Sequence, residues 1–585
     1  ADTGRPILDF GIEGRIDLTK GLRRPINRFF YGVSSPPLVC NNTVIVGASI
    51  LDAPVVKEMP PGDIRGFDAR TGNVKWIFES VPQGDSEGAE TWENESWRHT
   101  GNTNVWPPMS CDEELGIVYL PFGTPSNDYY GGHRPGDNLF AESLVAVDVE
   151  TGEKVWHYQM VHHGIWDYDL PAAPNLVDIT VNGKQIKAVA QITKHSFTFV
   201  FDRVTGEPVW PIEERPVPQS TVPGERTAAT QPFPTRPLPF DRQGITENDL
   251  IDFTPSLNQQ ALTILQRYDH GPLFTPPTQR GTIAVPGVSG SASWSGAAVD
   301  PDKGILYVPS MTPPFILRVA PATSNPHYNF SGSFEYGPIG PQNLPLLKPP
   351  YGRITAIDLN TGEHLWVSPV GEGPRNHTAI QHLNLPKLGW ARRSFPLLTK
   401  TLLFVAQEGI TLSRGGSPLG WAAEIGSRNH DPNLRAFDPD DGTEWATIRL
   451  PGNATGAPIS YMAAGQQYIV VPVGGASHPA ELVALTLGGR TGTDDEMPLR
   501  TALEQNYPNP FNRVTTITFE VSAPTHVELV VRDVLGRRVR TLIDEVKGVG
   551  RHQVPLYAEG LPSGMYLYTL QTDTFTQTRK LLLVK

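Results

Sequence analysis

Residues 146–156 read A-V-D-V-E-T-G-E-K-V-W, and the same phrase returns as G-F-D-A-R-T-G-N-V-K-W at 66–76, V-F-D-R-V-T-G-E-P-V-W at 200–210, A-I-D-L-N-T-G-E-H-L-W at 356–366 and A-F-D-P-D-D-G-T-E-W at 436–445. Five copies define a repeat. Each begins on an alternating strand such as Leu144 to Val147, bends at a glycine suited to positive φ and leaves on a strand that carries tryptophan. The Asp and Thr side chains can bond turn amides, and the Trp offers a large flat face to a neighbouring sheet.

Upstream of most copies stands an apolar strand, a polar turn and a second apolar strand: P-L-V-C-N-N-T-V-I-V-G (37–47), P-M-S-C-D-E-E-L-G-I-V-Y-L (108–120) and A-A-V-D-P-D-K-G-I-L-Y-V (297–308). Two such pairs make a four-stranded antiparallel unit, and units in series with Trp between them fit a β-propeller. Six complete units are expected, the last ending near 481–487, with Ala1-Asp2-Thr3-Gly4 reading as the stub of another. The interval from Asp202 to Asp358 is long for one unit. It holds Pro-rich excursions at 211–240 and 335–350 and a helical stretch near Ser256 to Leu265, expected as loops over one face that serve binding.

Composition agrees. In 585 residues there are 56 Gly and 57 Pro, so turns are dense, while a hydrophobic fraction of 39% suffices for a core. Lys and Arg number 48 against 61 Asp and Glu, a formal net charge of −13 that argues against nucleic acid as a main partner. No apolar run approaches the 18 or so residues of a membrane span. The two cysteines, Cys40 and Cys111, exclude a disulfide scaffold, a zinc ribbon and a C-x-x-C-H haem site. They occupy equivalent strand ends in successive units, so their Cα atoms are expected beyond the roughly 7 Å bridging limit, as two free buried thiols.

The repeat thus covers residues 1–487. G-G-R-T-G-T-D-D-E at 488–496 reads as a linker, and 497–585, with 11 basic and 8 acidic residues, is a second domain. Alternating runs at Val514–Val521, His526–Asp533 and Met565–Gln571 predict a small antiparallel β-sandwich.

That second domain resembles the sorting domain read by the type IX secretion machinery. The resemblance is carried by N-Y-P-N-P-F-N (506–512), V-E-L-V-V-R-D-V-L-G-R-R-V (527–539), G-L-P-S-G-M-Y-L-Y (560–568) and the basic end R-K-L-L-L-V-K (579–585). It implies export through the periplasm and across an outer membrane, to the cell surface or the medium.

The repeat domain resembles the pyrroloquinoline quinone (PQQ) dehydrogenases of the membrane-bound glucose dehydrogenase branch. The phrases are V-H-H-G-I-W-D-Y-D-L-P-A-A-P (161–174), K-H-S-F-T-F-V-F-D-R-V-T-G-E (194–207), L-F-T-P-P-T-Q-R-G-T (273–282) and G-Q-Q-Y-I-V-V-P-V-G-G (465–475). The resemblance implies an all-β, eight-bladed type of propeller, of which six blades and a stub would be present.

Oxidising an alcohol with PQQ needs a cation to polarise the quinone, a base for the hydroxyl proton and a flat floor for the ring. By resemblance, Asp167 is the catalytic base and Lys194, 27 residues on, the cation at the quinone oxygens. Trp106 is the stacking floor, and Thr124 and His163 are further cofactor contacts. Asp52, Thr124 and Asp167 fall where the family places the ligands of Ca2+ or Mg2+, both of which take oxygen. The implied partners are a sugar or other alcohol and an external electron acceptor, a quinone or cytochrome. Some positions depart from the pattern. Pro309 stands for a pocket Asn, and Ala476 for a pocket His, with His478 two places on; the vicinal cysteine pair of some alcohol-oxidising relatives is absent. Taken alone, Asp167 and Lys194 read as a strand-end acid and a solvated base, and only the shared phrase and spacing point to catalysis; Asp52 reads equally as a plain loop carboxylate. The Trp phrase is structural, so a non-catalytic propeller scaffold, or a chain inactive because its ring is incomplete, stays open at this point.

Overall fold

A computed structural model describes residues 6–52, 56–322, 329–409, 431–463, 465–475, 478–487, 501–548 and 550–585. The expected stub at 1–4, the expected linker at 488–496 and Ala476 lie outside the described residues. The chain divides into two compact units, Ala1–Leu485 and Thr486–Lys585.

The first unit is a β-propeller built from the repeat. Four of its six sheets are complete four-stranded meanders among the described residues: Leu38–Cys40 to Val74–Phe78, Ser110–Asp112 to Lys154–Gln159, Ala298–Asp300 to Glu363–Pro369, and Ser394–Leu398 to Glu444–Arg449. The third sheet has three strands, Asn175–Val181, Lys184–Ile192 and Thr198–Asp202, with a single bridge from Phe201 to Pro208 where a fourth would run. In the sixth, Gln466–Gly475 pairs with Asn453–Ala454, Ile459–Ala463 and His478–Thr486. Six repeat sheets are therefore present as expected, but the third is one strand short and the four strands of the sixth do not follow one another as a simple meander. Proline at 208 and 211 offers no N–H to a ladder, which accounts for the missing strand of the third.

The repeat phrase explains how the sheets are fastened. Asp68 Oδ1 accepts the Arg70 and Thr71 amides at 3.0 and 2.8 Å, and Asp148 Oδ1 accepts those of Glu150 and Thr151, both at 2.9 Å. The phrase glycine has φ of +72° at Gly152 and +78° at Gly206, a region side chains avoid. A Cβ there would also lie 2.6 Å from Trp76 or 2.7 Å from Trp156, because the indole of each sheet covers the turn of the next. The indole N–H completes the joint: Trp76 Nε1 donates to Val149 O (2.9 Å), Trp156 to Arg203 O (3.1 Å) and Trp366 to Pro439 O (3.0 Å).

Trp445 breaks the rule. Where Trp156 pairs with Ala146 and Trp366 with Ala356, the partner of Ala436 is Ala446. The fifth phrase is one residue short, so its Trp falls on the bulge and stands 66% exposed instead of fastening a sheet.

The expectation of two free thiols is also corrected. Cys40 and Cys111 form a disulfide with a Cα–Cα distance of 6.3 Å. They sit on the first strands of successive sheets, and these strands pack against one another, so equivalent ends approach more closely than repeat spacing suggests.

The long interval is more ordered than Pro-rich loops. It contains a hairpin, Ile212–Pro216 with Thr230–Pro234, and a helix, Pro255–Leu265, started by Thr254 accepting the Leu257 amide. A second hairpin, Phe315–Pro321 with Phe330–Tyr336, is joined by Thr282–Ala284.

The second unit is a sandwich. One sheet pairs Ala502–Leu503, Val514–Val521 and Gly550–Tyr557; the other orders Arg538–Lys547, Thr525–Asp533, Gly564–Gln571 and Thr576–Leu583. Alternate residues Leu529, Val531, Tyr568 and Leu570 fill a core with Ile517 and Phe519.

Candidate functional site

Strand order places the site before any side chain is considered. In an antiparallel sheet the start of the first strand and the end of the second lie at the same end. Trp106 precedes Ser110–Asp112, Asp167 precedes Asn175–Val181 and Arg392 precedes Ser394–Leu398. Asp52, Thr124, Lys194 and Pro313 each follow a second strand of their sheet. All therefore belong to one end of the propeller.

There they converge. Lys194 Nζ lies 2.7 Å from Asp167 Oδ1, 2.7 Å from Asp169 Oδ2 and 5.8 Å from the Trp106 ring centroid. The lysine is held from behind by Ser291, whose amide donates to Lys194 O at 2.9 Å, and by Gly290, where a Cβ would lie 2.6 Å from Lys194 Cγ. Asp167 has φ of +59°, a conformation rare outside glycine that swings its carboxylate toward Lys194, and Tyr129 donates to its other oxygen at 3.2 Å. Asp52 and Asp167 line a recess of about 310 Å³ together with Pro314, Phe315, Phe334, Tyr336 and Arg392.

The two aspartates on Lys194 differ in environment. Burial pushes the Asp167 carboxyl well above the usual carboxylate range; Lys194 opposes this, while Asp169 and Asp52 add to it. Asp169 is held low: burial works against its charge, but Lys194, Asp167 and the Thr124 amide (2.6 Å) outweigh it. Burial also opposes the Lys194 charge, yet the two carboxylates win and raise its pKa. Asp52 is pushed up to about 6 by the surrounding protein and then by Asp169, although it opens to solvent through the recess.

Two expected residues are engaged elsewhere. The Thr124 hydroxyl donates to Glu142 at 3.0 Å, and Glu142, fully buried, is raised to about 8 by that burial and by Asp169. His163 presents Nδ1 to Gly136 O at 2.8 Å and Nε2 to Glu225 at 2.7 Å. With both ring nitrogens facing protein acceptors, His163 clamps the loop that carries Asp167 to the excursion around Glu225 and offers no free nitrogen to a cofactor. Pro309 lies within Ile305–Met311, and His478 pairs with Glu481 at 2.7 Å.

Sequence reasoning passed over Asp169, Asp128, Tyr129 and Glu142. Asp169 was legible two places after Asp167 in W-D-Y-D; Asp128 and Tyr129 share the S-N-D-Y-Y stretch after Thr124. Asp128 is buried with Oδ1 unbonded and is raised by burial and by Asp52, Asp167 and Asp169. Four carboxyls around one ammonium leave negative charge that suits a divalent cation. Among the described residues no three acidic, imidazole or thiol groups close on one point, so a cation here needs oxygens from elsewhere. An ammonium beside a broad indole and an open recess fits a planar, oxygen-rich acceptor.

Residues 1–469 match the PQQ family model, described as the glucose/ethanol/alcohol dehydrogenase β-propeller domain, and residues 505–585 match the secretion system C-terminal sorting domain. The chain is 30% identical over 499 residues to quinoprotein glucose dehydrogenase A of Acinetobacter calcoaceticus, covering 81% of this chain and 59% of that protein. It is 31% identical over 479 residues to quinoprotein glucose dehydrogenase of Escherichia coli, covering 76% and 56%. Among solved structures, the quinohemoprotein alcohol dehydrogenase of Comamonas testosteroni shares the fold with a TM-score of 0.56 at 22% identity, over 85% of this chain and 64% of that one. The chain spans less than two thirds of the length of these relatives.

Proposed function

The chain belongs to the PQQ-dependent dehydrogenase β-propeller family and carries a type IX sorting domain, and from that premise we propose that it is an exported quinoprotein that oxidises a sugar or other alcohol by hydride transfer, with electrons leaving to an external quinone or cytochrome. The observation that carries this reading is the Lys194 ammonium bridging Asp167 and Asp169 beside Trp106, with Asp167 open to the recess.

When bound, PQQ supplies an electrophilic carbonyl that takes two electrons from the substrate carbon. The protein's part is to place and move charge. Asp167 accepts the hydroxyl proton; a carboxyl raised above its usual range is a better matched base near neutral pH than an ordinary aspartate. Lys194, kept charged by two carboxylates, donates to oxygens on which negative charge develops. Asp169 accepts from Lys194 and from the Thr124 amide, and so fixes the ammonium without competing for the proton. Trp106 is the floor for a flat ring, and the proposed ligands of Ca2+ or Mg2+ are Asp52, Asp167 and the Thr124 hydroxyl oxygen, which keeps a lone pair for a cation while its proton goes to Glu142.

Reconstitution of the full-length protein with PQQ and calcium, followed by dye reduction over a panel of sugars and alcohols, tests the reading. Asp167→Asn should lower turnover by about a hundred- to ten-thousandfold while PQQ still binds, the scale expected when a base is removed. Failure of the unsubstituted protein both to bind PQQ and to turn over any substrate overturns it, and leaves the propeller as a binding scaffold.

A further inference from the structure

The recess is lined by charges of both signs, and one of them is unanswered. Besides Asp52 and Asp167, the recess is lined by Arg392 and Arg393, which open the fifth sheet, and by Glu408, which follows its second strand. Arg393 is satisfied: it pairs with Glu408 at 3.0 Å and donates to Ser293 at 2.9 Å. Arg392 is not. The residue is only 7% exposed, and its guanidinium, stacked over the Trp390 ring at 5.4 Å, makes no hydrogen bond or ion pair among the described residues, with Nη1 buried and unbonded. Asp431 and Glu408 favour its charge through space but bond other arginines, Asp431 to Arg435 at 2.7 Å and Glu408 to Arg393 at 3.0 Å, so burial still outweighs them at Arg392.

An unpaired buried guanidinium costs stability unless a ligand answers it, and its planar fork matches a carboxylate better than a hydroxyl. Beside it, Phe315, Phe334 and Tyr336 form an aromatic wall, with Phe315 centred 5.2 Å from Tyr336 and 5.9 Å from Phe334, against which the C–H face of a ring can lie.

We propose that Arg392 is a specificity-determining residue that binds the carboxylate of the substrate, so that the alcohol oxidised is a hydroxy acid, such as a uronic or other ring-bearing sugar acid. This rests on the function proposed above. The reaction is unchanged: the carbinol carbon loses hydride to PQQ and its hydroxyl a proton to Asp167, and the carboxylate is a spectator held by Arg392. A carboxylate of PQQ itself carries the same chemistry, and the experiment separates the two.

Full-length protein is compared with Arg392→Met and Arg392→Lys using D-glucuronate and D-glucose, which offer the same oxidisable carbon with and without a carboxylate. Cyclohexanecarboxylate, which has no hydroxyl, is titrated calorimetrically with and without PQQ. The expected result is at least a tenfold preference for glucuronate in kcat/KM. That preference falls at least tenfold in Arg392→Met, through KM, and is partly kept in Arg392→Lys, while cyclohexanecarboxylate binds with an affinity that falls at least tenfold in Arg392→Met. The wild-type titration needs no variant to fold: absence of cyclohexanecarboxylate binding together with no preference for glucuronate overturns the proposal. So does an Arg392→Met protein whose PQQ affinity falls tenfold while the substrate ratio stays, which assigns the guanidinium to the cofactor. Arg392-dependent carboxylate binding in a protein that neither holds PQQ nor turns over supports the carboxylate subsite and discards the enzyme.

Discussion

His195 follows Lys194 in the chain and is fully buried, with neither ring nitrogen bonded, inside a box of Tyr168, Phe197, Phe199 and Phe274. Burial holds its pKa down at about 3. Below about pH 6.5 the unfolded chain takes up a proton that the folded chain refuses, so stability present above that value is lost as pH falls toward 3, by about 1.4 kcal/mol per unit. His195→Phe should flatten this acid limb in denaturant titrations between pH 6 and 4; an unchanged slope would show that the ring finds a proton acceptor. Asp167 supplies the matching prediction for activity. Only its ionised form accepts a proton, so kcat/KM rises with pH through its raised pKa, and Asp169→Asn, which removes a neighbouring negative charge, should move that limb to lower pH. The pH profile of kcat/KM reads this directly.

At the scale of elements, the register of a single bulge decides whether a Trp fastens two sheets or faces water. Trp156 is 7% exposed and hydrogen-bonded across the joint, whereas Trp445 occupies the bulge. Trp156→Ala should therefore cost about 3 to 5 kcal/mol, as large buried side chains do, and Trp445→Ala under about 0.5 kcal/mol. Equal effects in urea melts would mean that Trp445 is covered. The Cys40–Cys111 bridge joins first strands of neighbouring sheets across 71 residues. Closing a loop of that length constrains the unfolded chain, so the paired Cys→Ala variant should lose about 2 to 4 kcal/mol, measured against the oxidised protein.

At the scale of the molecule, each compact unit has its own core. The sandwich core is drawn wholly from residues 503–583, and the propeller cores from residues before 486. Calorimetry of the full chain should show two transitions, and a chain ending at Leu485 should keep the propeller transition within about 2 °C while still binding PQQ. One merged transition, lost on truncation, would show that the units fold together.

The repeat phrase determined the architecture without coordinates, because an Asp that ties a turn, a Gly at positive φ and a Trp at fixed spacing are local demands that every copy restates in its own residues. Alternation likewise marked the strands of the sandwich, whereas Asp167 and Lys194 were singled out only through the family resemblance of the phrases that carry them. What the linear chain withheld were distances across sheets. Cys40 and Cys111, 71 residues apart, meet because first strands converge; Asp169 and Thr124, 45 apart, meet on one amide; and Arg392 faces the recess of Asp167 from a sheet more than 200 residues away. Burial, and with it the charge state of Asp167, Glu142 and His195, belongs to the packed fold, since desolvation is set by neighbours that sequence order does not place.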